Sequence, residues 1–387
     1  MGLRGKGSML ESGRHPFWLG MTISIASIFL VVVYVLYFSP CDFLSPELCR
    51  SRSLISGISA PVIPERVFTD DEIAARAVAK DILSRPWNER RPPVSKIAFM
   101  FMTPGPLPFE SIWHEFFKGH DGFITVYVHA SENGSFGWKS PYFIGREIPS
   151  NKVYGGRIDT LDEERLLLAH ALLDPANMFL VLLSESCIPL YDFNYVYTYV
   201  MNAETSFVDS FEDPGPQGRG RYLDQMRPEI SPEDWRKGAQ WIAVHRKHAL
   251  IIMLDHVYYN KVKNFCKPGV EQENFNCVPH EHYIPTFLHI IDPTGTANRS
   301  LTYADWSEGK RQPRSFGKDD LTPHEIMKMQ VIDTVTHKTS ENPAVVERTA
   351  CMWDGKQHPC YLFARKFKPD ALEVLEEMLP NIIRSTA

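Results

Sequence analysis

One stretch constrains this chain more than any other. Phe17 to Phe38 (FWLGMTISIASIFLVVVYVLYF) is apolar and uncharged from end to end, and no second run like it occurs in the 387 residues. A helix of that length, rising about 1.5 Å per residue, covers a hydrocarbon core of about 30 Å. The segment closes on bulky Tyr34, Leu36, Tyr37 and Phe38 rather than on small residues, which suits a retained anchor better than a cleaved leader. Arg4, Lys6 and Arg14 precede it against the single acid Glu11, so the positive-inside rule makes residues 1–16 a cytosolic tail. The expectation is a single-pass protein with a transmembrane signal anchor at 17–38 and a body in a lumen or outside the cell.

Residues 39–95 mix Pro, Ser and charge (SPCDFLSPELCRSRSLISGISAPVIPERVF, then SRPWNERRPPVS), with one helical stretch near Asp70 to Leu83, and read as a stem. From residue 96 the pattern changes. KIAFMFM, GFITVYVH and MFLVLLSES are apolar runs of strand length, separated by a helical stretch from Phe109 to Lys118 and by LDEERLLLAHALLD, whose acids open a leucine-spaced helix. Strand, helix, strand, helix argues for an α/β sheet with helices on both faces and right-handed crossovers. Ligands then favour the carboxyl ends of the strands, which points to His129 and to Ser184–Ser186. Downstream, GAQWIAVHRKHALIIMLDHVYYN predicts a strand running into one long helix, and EHYIPTFLHII and PDALEVLEEML predict two more helices. Between Asp209 and Asp234 there is little periodicity, the mark of a long loop that is either a binding loop or an insertion without structure.

Composition removes several function classes. Lys and Arg number 41 against 47 acids, a formal charge of −6, so the broad basic surface of a nucleic-acid binder is missing. Seven cysteines with no CxxC argue against a zinc site, while Cys266/Cys277 and Cys351/Cys360 are close enough for local disulfide loops in an oxidising lumen, with connectivity open. GxGxxG, Walker, GxSxG and HExxH motifs are missing. So is any Asp-x-Asp in the lumenal body, the acidic pair that commonly holds a divalent metal against a nucleotide-sugar diphosphate. Asn133-Gly-Ser and Asn298-Arg-Ser have the form of glycosylation acceptors, each among turn residues.

The ordered series KIAFMFM, GFITVYVH, YGGRI, LVLLSESCIPL, GAQWIAVHR, VPHEHYIPT, TYADW, ERTACMW and CYLFARKF resembles the Core-2/I-branching β1,6-N-acetylglucosaminyltransferase family, glycosyltransferase family 14, above all its plant branch. The likeness spans nearly all of residues 96–387. It implies a GT-A-like lumenal domain (a Rossmann-like central sheet flanked by helices), type II topology in the Golgi, and inverting transfer from a UDP-sugar to a glycan, glycoprotein or proteoglycan hydroxyl without a metal or other cofactor. N-acetylglucosamine is the leading donor.

Residue by residue, the resemblance places the catalytic glutamate at Glu281, where a carboxylate would take the proton of the attacking hydroxyl. From the residues alone Glu281 reads rather as an acid in a first helical turn, and it is the resemblance that reverses this. Arg348 and Lys366 match the family's basic pair on the donor diphosphate; neighbouring Arg365 competes with Lys366, because adjacent strand residues face opposite sides. Trp306 matches an acceptor-side tryptophan, whose indole suits a sugar face as well as a core. Gly238 matches a small residue beside the acceptor, and Arg246 closes that segment; for both, structural support is the plainer role. Arg157, Ser184 and Glu185 match donor-side segments. At His129 the chain departs from the family, which usually has Asp near the uridine or its ribose; an imidazole cannot reproduce a carboxylate, so donor identity is open. Cys351 is kept while its usual upstream partner is missing and Cys360 lies downstream. The rivals are a membrane-anchored carbohydrate-binding or scaffold protein that kept the fold and lost transfer, a retaining metal-dependent transferase, and a lumenal hydrolase.

Overall fold

A computed structural model describes residues 94–131, 136–149, 158–267, 276–310, 312–342, 346–353 and 355–382. The expected tail, membrane segment and all of the stem but residues 94–95 therefore lie outside the described residues, as do Arg157 and Asn133. Among the described residues no helix is long and apolar enough to cross a membrane.

The apolar runs become strands because residues on both faces are buried. β1 (Lys96–Thr103), β2 (Ile124–Ala130) and β3 (Asn177–Ser184) are parallel, and a short β5 (Ala243–His245) pairs antiparallel with β3, giving the order β2-β1-β3-β5. Successive side chains alternate between two cores. Ile97, Phe99 and Phe101 face one core with α1 (Glu110–Phe117) and α3 (Phe193–Met201), which follows β4 (Ile188–Pro189). Ala98 and Met100 face the other with α2 (Ile158–Leu172), α4 (Arg246–Leu254), α5 (Val257–Phe265) and α6 (Tyr283–Ile291). From β1 the chain steps to one side through α1, then crosses back over β1 to β3 through α2. Helices on opposite faces are what a constant crossover hand requires when the direction reverses. The reversal opens a crevice between the carboxyl ends of β1 and β3. This mixed α/β architecture, with a parallel-containing central sheet, fits the GT-A-like expectation.

The single long helix expected after β5 is two helices. The Asp255 carboxylate accepts from the backbone N–H groups of Val257, Tyr258 and Tyr259, satisfying the donors of a new first turn. The apolar periodicity runs on across the break, so the two helices share one stripe.

The remaining chain forms small sheets around this core. β11 (Phe363–Arg365) lies between β4 and β6 (Thr302–Ala304). After α7 (Pro323–Gln330), β7 (Thr334–Lys338) pairs with β8 (Val346–Ala350), β9 (Met352–Trp353) pairs with β10 (Lys356–Gln357), and α8 (Leu372–Ile382) closes the described residues. Both local disulfides form, Cys266–Cys277 and Cys351–Cys360, with Cα atoms 4.9 Å and 5.4 Å apart. The Asp209–Asp234 stretch is irregular yet ordered, pinned by buried Met226 and Ile230 and by Trp235 just beyond it.

Candidate active site

Glu281 ends the single turn Pro279–Glu281 that leads into α6. Its carboxylate is partly exposed and one oxygen is held: Arg221 Nη1 donates to Oε2 across 2.6 Å. The other oxygen has no partner among the described residues. Arg221 comes from the long irregular stretch, and the same Nη1 also lies 3.4 Å from His282 Nε2. Burial pushes His282 far below the ordinary histidine range, so the ring is neutral. Its Nδ1 is the donor to the Arg236 carbonyl at 2.8 Å, which leaves the Nε2 lone pair facing Arg221. Trp235 stacks on the same ring, with centroids 4.6 Å apart. His280 is likewise pushed down to about 4 by burial. A carboxylate is thus clamped on one oxygen among neutral imidazoles.

Glu281 is joined to the sheet through its backbone. Gly238 N–H donates to the Glu281 carbonyl at 2.9 Å, and a Cβ at Gly238 would lie 1.8 Å from the Asp209 carbonyl oxygen. Only glycine permits that approach, so backbone packing accounts for Gly238. Lys237, whose basicity burial lowers, sits near the same carboxylate and reaches Gln217 Oε1 at 3.1 Å and Asp213 Oδ2 at 3.7 Å. On the far side of Gly238, Asp209 Oδ2 accepts from Ala239 N–H, and its Oδ1 meets His337 Nε2 at 2.6 Å. Burial lowers the His337 pKa, but the hydrogen bond and charge of Asp209, with Glu347, outweigh it and raise the net value.

Two residues further, Gln240 and Trp241 reach the crevice between the strands. Gln240 Nε2 donates to Glu164 Oε1 at 2.8 Å, and burial raises Glu164 well above the usual carboxylate range, so this acid is neutral. His129 is fully buried at the end of β2, its Nε2 2.7 Å from Glu163 Oε2 of α2. The Arg365 guanidinium covers the Trp241 ring at 4.3 Å, and its pKa is lowered by burial, with Cys187 and Glu185 acting in the opposite sense. Next to it, Lys366 gives its carbonyl to Phe316 N–H, and Phe367 N–H donates to the Ser186 carbonyl. The Ser184 hydroxyl lies 3.0 Å from that of Ser186 and 3.2 Å from Cys187 Sγ, closing the turn after β3.

Of the residues expected from sequence, Ser184, Glu185, Lys366 and His129 therefore gather at the carboxyl edge of the sheet, tied through the 238–241 segment to Glu281. Trp306 follows β6 and is 52% exposed. Arg348 stands elsewhere, on the exposed face of β8 opposite Thr336, with no ion pair among the described residues. Arg246 is structural: buried, it donates to the carbonyls of Leu172, Asp174 and Asn177 at the end of α2. Asn298 is exposed, with a positive φ of 48°.

The model of the Core-2/I-branching enzyme family matches residues 97–330, more than half of the chain. The chain belongs to that family. Family membership makes it a glycosyltransferase. It is also similar to glycosyltransferase BC10 of Oryza sativa subsp. japonica, 34% identical over 323 residues, covering 76% of this chain and 77% of the rice protein. Among the described residues no three His, Cys, Asp or Glu side chains converge as a metal site would.

Sequence reasoning missed Arg221, Lys237 and the buried acids Glu163 and Glu164. Arg221 sits in a stretch without periodicity, 60 positions from its partner in sequence. The one signal that could have pointed to it was the length of that ordered loop.

Proposed function

We propose that this family member is an inverting, metal-independent transferase, a type II Golgi membrane protein that moves a sugar, N-acetylglucosamine first among candidates, from a UDP-sugar to a hydroxyl of a glycan, glycoprotein or proteoglycan. One observation carries the reading: Glu281 has one carboxylate oxygen clamped by Arg221 and the other open at the carboxyl edge of the sheet. The open oxygen accepts the proton of the acceptor hydroxyl while that hydroxyl's oxygen bonds to the anomeric carbon. The bond from that carbon to the diphosphate oxygen breaks with its electron pair, inverting the centre. Arg365 or Lys366 meets the charge that grows on UDP; one such fixed donor is worth about 3 kcal/mol. Trp306 and its exposed indole take the acceptor side. His129, in the sequence position of the family's nucleoside-side acid and 2.7 Å from Glu163, takes the nucleoside side.

The test is UDP release by the purified chain across UDP-sugars and glycan acceptors in excess EDTA. Acceptor-dependent release that survives EDTA and falls at least ~100-fold in Glu281→Gln is the expected result. Release that requires a divalent ion, or that Glu281→Gln leaves intact, overturns the mechanism. Sugar binding without any release returns the carbohydrate-binding reading.

A further inference from the structure

Away from Glu281, the end of α3 and the 205–207 and 297–299 segments meet β7, β8 and β9 around a cleft of about 660 Å³. That volume falls inside the ~300–1,000 Å³ usual for small-molecule sites. None of Glu281, Arg221, Gln240, Arg365, Lys366 or Trp306 lines it, so the transfer reaction leaves it without a role.

One aromatic face opens into it: Trp353 is half-buried, so part of its indole stays uncovered, while Tyr199, 5.1 Å from Trp353 and 5.8 Å from Phe207, and Phe207 itself are buried behind it. Its rim is polar and nearly uncharged, with Asn202, Asn298 and Thr349 all exposed. Among the described residues of the lining the one cation, Arg299, is already engaged: it donates to the Cys360 carbonyl and to the Tyr199 hydroxyl at 2.6 Å each, and its guanidinium lies 4.7 Å from the Phe207 centroid. The remaining charge is the exposed carboxylate of Glu204. An anionic ligand would meet an acid and no uncommitted cation. A neutral pyranose meets an aromatic face for its C–H surface and amide and hydroxyl partners for its hydroxyls.

We propose that this cleft is a second, non-catalytic carbohydrate site that binds pyranose rings of a neutral glycan against Trp353. The site stands apart from the donor and base assignments above. Asn298, at the rim, opens the Asn-Arg-Ser triplet, so a glycan attached there and a free oligosaccharide are two sources of the same chemistry.

The test titrates the full chain in detergent with chitotetraose, by calorimetry and by hydrogen exchange, with and without excess UDP. Binding that UDP does not displace, slowed exchange at 199–207 and 346–353 rather than at 278–283, at least tenfold weaker binding in Trp353→Ala and a several-fold loss in Trp353→Phe are expected. The exchange pattern in the unmodified chain needs no variant to fold. Binding seen only in Asn298→Gln supports the site with the chain's own glycan as its occupant. Equal affinity in Trp353→Ala, displacement by UDP, protection at 278–283, or no binding in either the parent chain or Asn298→Gln overturns the proposal.

Discussion

Arg221 is the residue through which the fold controls Glu281. A charge-assisted hydrogen bond is worth about 1.5–3 kcal/mol, and 1.36 kcal/mol is tenfold in rate. Arg221→Ala should therefore lower kcat/KM by roughly 10–100-fold while the melting temperature stays near that of the parent, because the pair is partly exposed and contributes little to stability. Steady-state kinetics beside a thermal melt checks both halves. His280 carries the opposite weight. Its folded-state pKa is lowered from 6.5 to about 4, so between those values the unfolded chain binds a proton that the folded chain refuses. Stability should fall as pH drops from 6.5 toward 4, by at most about 3 kcal/mol from this group. Denaturant melts across that window should show a shallower decline in His280→Gln; an unchanged slope would show that the ring does not stay neutral.

At the scale of elements, the strands and first helices were legible because they depend on local pattern. KIAFMFM, FITVYVH and MFLVLLS are buried on both faces, and parallel strands between two helical layers read as continuous apolar runs. The break after α4 was not legible, because the same apolar stripe continues through it. What breaks the helix is one side chain. Asp255 caps three N–H groups of α5 and also accepts from the Tyr283 hydroxyl at 2.9 Å, tying α5 to α6 and so to the turn that carries Glu281. Asp255→Ala should cost more than the ~1 kcal/mol of a lost cap, about 2–3 kcal/mol, since the buried Tyr283 hydroxyl keeps only the Ile252 carbonyl, at 3.5 Å, as an acceptor. Chemical denaturation measures this; a cost below 1 kcal/mol would mean that solvent replaces the aspartate.

For the whole molecule, the cysteines show how far sequence distance is a guide. Pairing Cys266 with Cys277 and Cys351 with Cys360 needs only short loops, and both pairs form. The second fixes the β8–β10 region, whose Cys360 carbonyl accepts from Arg299 and whose Cys351 N–H donates to the Asp333 carbonyl. Replacing Cys351 and Cys360 together by Ser should cost about 2–3 kcal/mol for a loop of this size, read as a lower denaturation midpoint under non-reducing conditions. It should also loosen the Trp353 cleft. The alternation of strands and helices, the two buried faces of the sheet and, through the order of its short motifs, the family follow from the sequence alone, which brought the cysteines within loop distance and left their pairing open. These are encoded by neighbours a few positions apart, where periodicity and burial act directly on the chain. Only the tertiary structure decided that Arg221 holds Glu281, that Gly238 is needed because the Asp209 backbone presses on it, that His129 stands against Glu163 and a neutral Glu164 against Gln240, and that Arg348 stands apart on β8. Each of these rests on groups that meet in space across dozens of residues of chain, and no local pattern carries the distance between them.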